Sequence, residues 1–374
     1  MLIEPLNNAL TRRVVETLIR PGSGFRSGID PRDEMYLYNM NLLHQRRDCA
    51  AVLYFLKGYQ ISTAVREIGR WYFRNYPAIG SFLDFGSGYG RATRFFLGDL
   101  PPEKIWISDI LQDAVDFQAR YFKVNAFAST EDPRDLRVDR KFDYLFAASL
   151  FSHLPEKTFG PWMRRLFELV EEGGLLVVSV LDRSLFDAEG DDAPGEMVFL
   201  AESESRVLDP NQYGTAYVSE KFVRSTLEQE LDGPVSVGRV PAGLCAHQDL
   251  YLMAKRERVD FFTMSLKGLP QGELDCFEFD GKERVEVGGW ARATTRGDAI
   301  SEIRVYRGDR ILRTAVPEPL GERGRHRERW RLRIDLEEAD PDEMILAMAR
   351  TRYGRENVIA IGTLRPWITQ ANGS

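Results

Sequence analysis

Between Phe82 and Leu97 the chain reads Phe82-Leu83-Asp84-Phe85-Gly86-Ser87-Gly88-Tyr89-Gly90-Arg91, and then sets Ala92, Phe95, Phe96 and Leu97 at helical spacing. An apolar run, alternating glycines and an amphipathic stretch predict a buried strand, a tight turn and a helix over 91–100. Glycines accept positive φ and let a ligand approach the backbone, and a helix start presents unpaired N–H groups. A glycine turn alone is common, so its meaning depends on what the rest of the chain supplies.

From 82 to about 256 short apolar runs alternate with helical ones. Strands are expected at Phe82–Phe85, Ile105–Ser108, Ala126–Ala128, Tyr144–Ala147, Leu175–Val180, Val235–Val240 and Asp249–Met253, and helices at Arg91–Leu100, Gln112–Phe122, Phe159–Val170 and Ser219–Leu231. This alternation implies an α/β doubly wound, mostly parallel seven-stranded sheet with helices on both faces. The last two strands, joined by a short loop, suit an antiparallel edge hairpin. The domain is expected to span 81–258.

Residues 1–80 read as an N-terminal helical segment, a lid or substrate cap. A helix-like patch (Leu10, Val14, Val15, Leu18, Ile19) ends at Pro21-Gly22-Ser23-Gly24, and helices are expected at Asp33–Leu56 and Ser62–Tyr76. Their aromatics either pack on the next domain or cover a ligand, and Tyr36 and Tyr54 are the candidates for the second role. Residues 259–272 read as a linker. From 273 to 370 the helical period vanishes and short apolar runs alternate with turns, with hairpin candidates at Gly308-Asp309 and Tyr353–Asn357. That predicts a separate all-β sandwich. Within it Arg323, Arg325, Arg327, Arg329, Arg331 and Arg333 alternate with His326, Glu328, Trp330, Leu332 and Ile334. The arginines form either an anion-binding face or a solvated sheet face.

A net charge of −7 and a pI near 5.4 argue against a general nucleic-acid binder. No apolar run approaches the ~20 residues a membrane span needs, and the start MLIEPLNNALTRR lacks a secretory pattern, so a cytoplasmic protein is expected. Cys49, Cys245 and Cys276 form no disulfide framework, and the histidines show no metal-ligand spacing.

Several further features fit the glycine turn. Asp109 ends the second expected strand 21 residues after Gly88, where an acidic residue accepts the hydroxyls of an adenosine ribose. Ser129 follows the third strand, and Ala148 and Ser149 end the fourth, at the carboxyl edge where open α/β sheets bind ligands. His153 lies in the loop beyond the fourth strand, and Ala246-His247-Gln248-Asp249 leads into the last. Asp84 reads as an organiser of the turn through backbone hydrogen bonds.

Together LDFGSGYGR (83–91), SDI (108–110), FDYLFAASLFSHL (142–154) and LVEEGGLLVVSV (169–180) resemble a class I S-adenosylmethionine-dependent methyltransferase, which has a Rossmann-like fold. Ser149-Leu150-Phe151-Ser152-His153-Leu154 is similar to the fourth motif of a subset acting on small molecules and sugars. The resemblance implies that S-adenosyl-L-methionine is held by Asp84, Gly86, Ser87, Gly88, Gly90, Arg91, Asp109, Ile110, Ser129, Ala148, Ser149 and Tyr36. Ser129 departs from the acidic residue often found at its position. Tyr54, His153 and Tyr217 would meet the acceptor, with His153 or His247 removing a hydroxyl proton. The acceptor would be a small molecule or glycan-related hydroxyl. Val287-Gly288-Gly289-Trp290-Ala291 resembles small β-sandwich modules of bacterial glycan-assembly enzymes. The alternatives are a nicotinamide-dependent oxidoreductase, disfavoured by the glycine spacing, and a cofactor-binding scaffold.

Overall fold

The structure is a computed structural model. It describes residues 1–363 except 20–22, 44–45, 188–194, 204, 206, 265, 267, 280–283, 295–296, 308–309, 320–327 and 336–343. The Gly308-Asp309 hairpin turn and Arg323, Arg325, His326 and Arg327 lie outside the described residues. Two compact units are distinguished: Met1–Glu4, Ile19–Leu42 and Lys57–Met264 form the first, and Pro5–Leu18, Leu43–Leu56 and Ser265–Ser374 the second. The N-terminal 80 residues are therefore divided between them.

The first helices are α1 (Ala9–Leu18), α2 (Glu34–Leu42) and α3 (Arg47–Phe73). The expected boundary near residue 57 is displaced: the chain breaks between Leu42 and Arg47, and α3 runs unbroken through Gly58. Glycine is a poor helix former, but here it serves packing. A methyl group at Gly58 would lie inside contact distance of the Arg91 carbonyl oxygen and 2.9 Å from the Phe95 ring. The later aromatics of α3 pack onto the sheet. Tyr72 donates to the Gly173 and Gly174 carbonyls at 2.9 and 3.1 Å, and Phe73 and Tyr76 meet the Tyr144 ring.

There follow β1 (Phe82–Phe85), α4 (Thr93–Phe96), β2 (Ile105–Asp109), α5 (Gln112–Phe122), β3 (Asn125–Ala128), β4 (Phe142–Ala147), α6 (Glu156–Glu168), β5 (Val170–Asp182), α7 (Arg183–Asp187), β6 (Met197–Leu200), β7 (Thr215–Val218), α8 (Glu220–Glu230), β8 (Ser236–Leu244) and β9 (Gln248–Ala254). The doubly wound α/β sheet is present. β3, β2, β1, β4 and β5 are parallel neighbours in that order, and β9 joins β5 antiparallel with β8 outside it. These are the seven expected strands. Two more extend the sheet to nine, because β7 pairs in parallel with the end of β5 and β6 pairs antiparallel with β7.

Side-chain alternation along β1 divides the core between the two faces. Leu83 and Phe85 join the cluster under α6 and α8, where Phe85 meets Trp162 at 5.4 Å. Phe82 meets Phe96 of α4 and Tyr144 on the opposite face. The helix expected over 91–100 shortens to α4, with Gly98 and the Pro101-Pro102 pair cutting it off. Glu171–Gly174, between the helix expected to end at Val170 and the strand expected from Leu175, belongs to β5, with Gly173 at φ 77° and a register shift against β4.

The second unit contains β10 (Gln271–Phe279), β11 (Arg284–Arg292), β12 (Ile300–Arg307), β13 (Arg310–Ala315), β14 (Glu318–Pro319), β15 (Glu328–Asp335), β16 (Met344–Thr351) and β17 (Glu356–Thr363). They form two antiparallel sheets, β10-β11-β15-β14 and β13-β12-β16-β17, as a sandwich requires. Val285, Val287, Trp330 and Ile334 share its core with Ile303, Val305, Ala347 and Ala349. Arg329 pairs with Asp275, and Arg331 and Arg333 both pair with Glu286, so these arginines are matched across the sheet face.

Candidate active site

β1 and β2 end side by side at the carboxyl edge of the sheet, and the turn after β1 is tied to β2. The Gly86 and Ser87 N–H groups donate to the Ser108 carbonyl at 2.8 and 3.1 Å, and Gly88 N–H donates to Asp109 Oδ2 at 2.7 Å. Gly86, Gly88 and Gly90 have φ of 71°, 54° and 80°, so all three need the left-handed freedom of glycine. Their surroundings differ. A Cβ at Gly88 would meet nothing within 4 Å and one at Gly86 only Leu150 Cβ at 4.0 Å, whereas one at Gly90 would run into Phe122 and Gln118. The first two border open space; the third packs against α5.

Two buried carboxylates flank the turn. Asp84 accepts from Thr93 Oγ1 at 2.9 Å, and burial lifts its pKa to about 7, with the Asp109 charge adding to the rise. Burial also raises Asp109, opposed by the N–H groups of Leu111 and Gly88; Leu111 N–H reaches Oδ1 at 3.0 Å. Ser129 N–H donates to the Asp109 carbonyl at 2.8 Å, which places Ser129 at the same edge. Ile110 and Arg91 are half-buried beside the turn.

Two residues hold this arrangement without having been singled out by the sequence. Gln118 is fully buried on the apolar face of α5, and its Nε2 donates to Ser87 Oγ and to the Gly88 carbonyl, both at 2.7 Å. A glutamine amid Ala114, Val115, Phe117 and Phe122 was the available signal. Arg94, 1 % exposed, donates to the carbonyls of Gly90, Arg26 and Gly28 at 3.2, 3.0 and 3.2 Å, tying the segment before α2 to the turn. In α2, buried Tyr36 donates its backbone N–H to Asp33 Oδ1 at 3.1 Å. Tyr54 belongs to the second unit, where it is fully buried with its ring edge-on to Phe55.

Beyond β4, Ala148 and Ser149 are half-buried, and Ser149 takes φ 56°. Its N–H donates to Ser179 Oγ at 2.7 Å, and Gln248 Nε2 donates to its hydroxyl at 3.1 Å. That contact brings the start of β9, and with it the His247 loop, to the carboxyl edge. His247 is exposed on one side, while partial desolvation of its ring on the other, with the Lys57 charge second, lowers its pKa. His153 is buried, its Nδ1 2.6 Å from the Gly214 carbonyl oxygen and its ring stacked on Tyr213 at 4.4 Å. Backbone bonds from Gly214 to His153 and from Ala216 to Ser152 fasten this loop to the approach to β7. Tyr217, half-buried within β7, meets Phe186 at 5.5 Å.

The strand order, with its antiparallel edge, and the glycine turn converge on one comparison: residues 83–176, from β1 into β5, match the family described as "Methyltransferase domain". Residues 83–176 carry the methyltransferase domain that the sequence resemblance implies. Similar solved structures include an S-adenosylmethionine-dependent methyltransferase from Clostridium acetobutylicum, at 13 % identity, covering 52 % of this chain and 92 % of that one with a TM-score of 0.40. An O-methyltransferase family protein from Burkholderia thailandensis has 13 % identity, coverage of 58 % and 63 %, and a TM-score of 0.39. The 1,6-didemethyltoxoflavin-N1-methyltransferase of the same organism has 18 % identity, coverage of 60 % and 88 %, and a TM-score of 0.36. A search of curated proteins gives no match. The matched domain makes the chain a methyltransferase, with S-adenosyl-L-methionine as its cofactor. Among its described residues no helix is long and apolar enough to cross a membrane.

Proposed function

We propose that this methyltransferase acts on a hydroxyl of a small-molecule or glycan-related acceptor, with His153 as general base. The chain's residues fit the cofactor: Gly86 and Gly88 leave open the space their side chains would fill, and Asp109 offers a buried carboxylate to vicinal hydroxyls. Bound S-adenosylmethionine supplies an activated methyl group on a sulfonium. Gly86, Ser87, Gly88 and Gly90 then shape the methionine end, and Asp109 with Ile110, Ser129 and Ala148 the adenosine end. Asp84 braces the turn through Thr93. Tyr36 and Tyr217 contribute walls, whereas Tyr54, buried within the second unit, is left out of the site.

The observation that carries the reading is the fixation of His153. Donation from Nδ1–H to the Gly214 carbonyl selects the tautomer whose basic lone pair is on Nε2, and the Tyr213 stack fixes the ring plane. A neutral alcohol is a poor nucleophile, so removing its proton during transfer contributes ~10²–10⁴-fold. Leu150, three residues before His153, is the side chain nearest the open face of Gly86, so this loop borders the donor. His247 offers a second reading, because its lowered pKa keeps it neutral at neutral pH. S-adenosylhomocysteine release from an acceptor panel tests both. We expect His153→Ala to lose roughly 10²-fold in turnover with cofactor affinity retained. Full turnover in His153→Ala together with loss in His247→Ala would transfer the role to His247.

A further inference from the structure

We propose that the acceptor is an anion whose carboxylate or phosphate is held between Lys57 and Arg91. This inference rests on the methyltransferase reading above and names the substrate class of that site. Its geometric basis is the crossing of α3 over the glycine turn. Gly58 lies directly against the Arg91 carbonyl, which puts Lys57 of α3 beside the residue that follows Gly90. Lys57 and Arg91 are half-buried, and neither side chain makes a hydrogen bond or ion pair with any of the described residues. Elsewhere in the same unit partly buried cations are matched: Arg66 by Asp99, and Arg239 by Asp182, Glu220 and Asp249.

The same two charges converge on a third element. Lys57 and Arg91 both act on the Cys245 thiol in the loop between β8 and β9, and Lys57 acts on His247 in that loop. Cys245 and Ala246 take φ of 52° and 59°, so this loop makes a left-handed turn. Two cations from two elements therefore lie near this one loop, with no ion pair to any of the described residues. Partial burial makes this costly without a counter-ion.

Charge balance separates the acceptor from the donor as the source of that counter-ion. S-adenosylmethionine carries a sulfonium, an ammonium and one carboxylate, so it adds net positive charge to the site. The nearby acids, Asp84 and Asp109, are already engaged by Thr93 and by the Gly88 and Leu111 N–H groups. An acidic acceptor supplies the missing negative charge, and a lysine with an arginine suits a carboxylate or phosphate.

The test uses the full chain and titration calorimetry. S-adenosylhomocysteine and 5′-methylthioadenosine are titrated first, then benzoate and inorganic phosphate into protein saturated with S-adenosylhomocysteine. We expect at least one of the two anions to bind the loaded wild type and to bind roughly tenfold or more weakly to Lys57→Met and Arg91→Met. S-adenosylhomocysteine affinity should stay within about threefold in Lys57→Met. Neither anion binding the loaded protein would overturn the inference and leave the methyltransferase reading intact. So would a Lys57→Met variant that loses affinity for S-adenosylhomocysteine but not for 5′-methylthioadenosine, since the lysine would then serve the cofactor's own carboxylate. Failure of S-adenosylhomocysteine to bind the wild type would remove both readings.

Discussion

The close approach of α3 to the glycine turn makes Gly58→Ala a decisive substitution, because two opposing effects have calculable sizes. Replacing a helical glycine by alanine stabilises a helix by about 0.8–1 kcal/mol. Against this, a Cβ at Gly58 would stand 2.9 Å from the Phe95 ring and 3.0 Å from the Arg91 carbonyl carbon, with the Arg91 oxygen inside contact distance. The ring can tilt, but a backbone carbonyl cannot move without shifting the turn or the helix. Overpacking of this kind costs typically ~1–3 kcal/mol. Steric cost therefore wins, with a net loss of up to ~2 kcal/mol and a melting decrease of up to about 8 °C for a unit of this size. The displaced carbonyl belongs to the residue after Gly90, so S-adenosylhomocysteine should also bind more weakly. Thermal melts with and without S-adenosylhomocysteine measure both effects. If Gly58→Ala melts at or above the wild type with unchanged affinity, α3 does not press on the turn and the placement of Lys57 fails with it.

Gly88→Ala should separate binding from stability. The added methyl enters open space at φ 54°, so strain of ~1–2 kcal/mol is the only folding cost, while calorimetry should find cofactor binding severely weakened. Asp109→Ala should weaken S-adenosylhomocysteine by ~1.5–3 kcal/mol, the worth of hydrogen bonds to a charged acceptor; unchanged affinity would remove Asp109 from the site. Asp84 predicts a pH dependence. Its carboxyl titrates near 7 in the folded chain against 3.8 for the ordinary group, so the folded state binds the extra proton between those values. Stability contributed by Asp84 is therefore full below pH ~4, falls as pH rises toward ~7 and is level above that. Urea titrations of Asp84→Asn should show a shallower decline across that window than wild type, and an equal slope would refute the assignment.

The glycine turn, Asp109 and the carboxyl ends of β3 and β4 were legible because each is a local pattern. A strand must be apolar, a left-handed turn wants glycine, and an acid ending β2 stands a fixed distance on. The sandwich strands were equally legible from their alternation. Residues whose role depends on distant partners were harder to read. The expected gap between Leu56 and Ser62 contains Gly58, for which local propensity speaks only of the helix, whereas its value lies in approach to Arg91. Gln118 and Arg94 were hidden on apolar helix faces, where the chain alone does not say which carbonyls they will meet. β6 and β7 were missed because Met197–Leu200 and Thr215–Val218 are each four residues long and are separated by a polar stretch. Period-two alternation has little length in which to appear there.

The guanidinium of Arg94 has a practical consequence for dissecting the chain. The matched family segment begins at Leu83, and a minimal catalytic fragment would naturally be cut just upstream of it. Such a cut discards the carbonyls of Arg26 and Gly28, stranding a permanently charged group in the interior at about 1–3 kcal/mol for each lost acceptor. It also removes the backbone N–H of Gly28 from the Tyr121 hydroxyl. The segment before α2 is thus a seam of the catalytic unit itself. Truncations and fusion junctions should be placed upstream of Phe25 if the excised enzyme is to keep its shape.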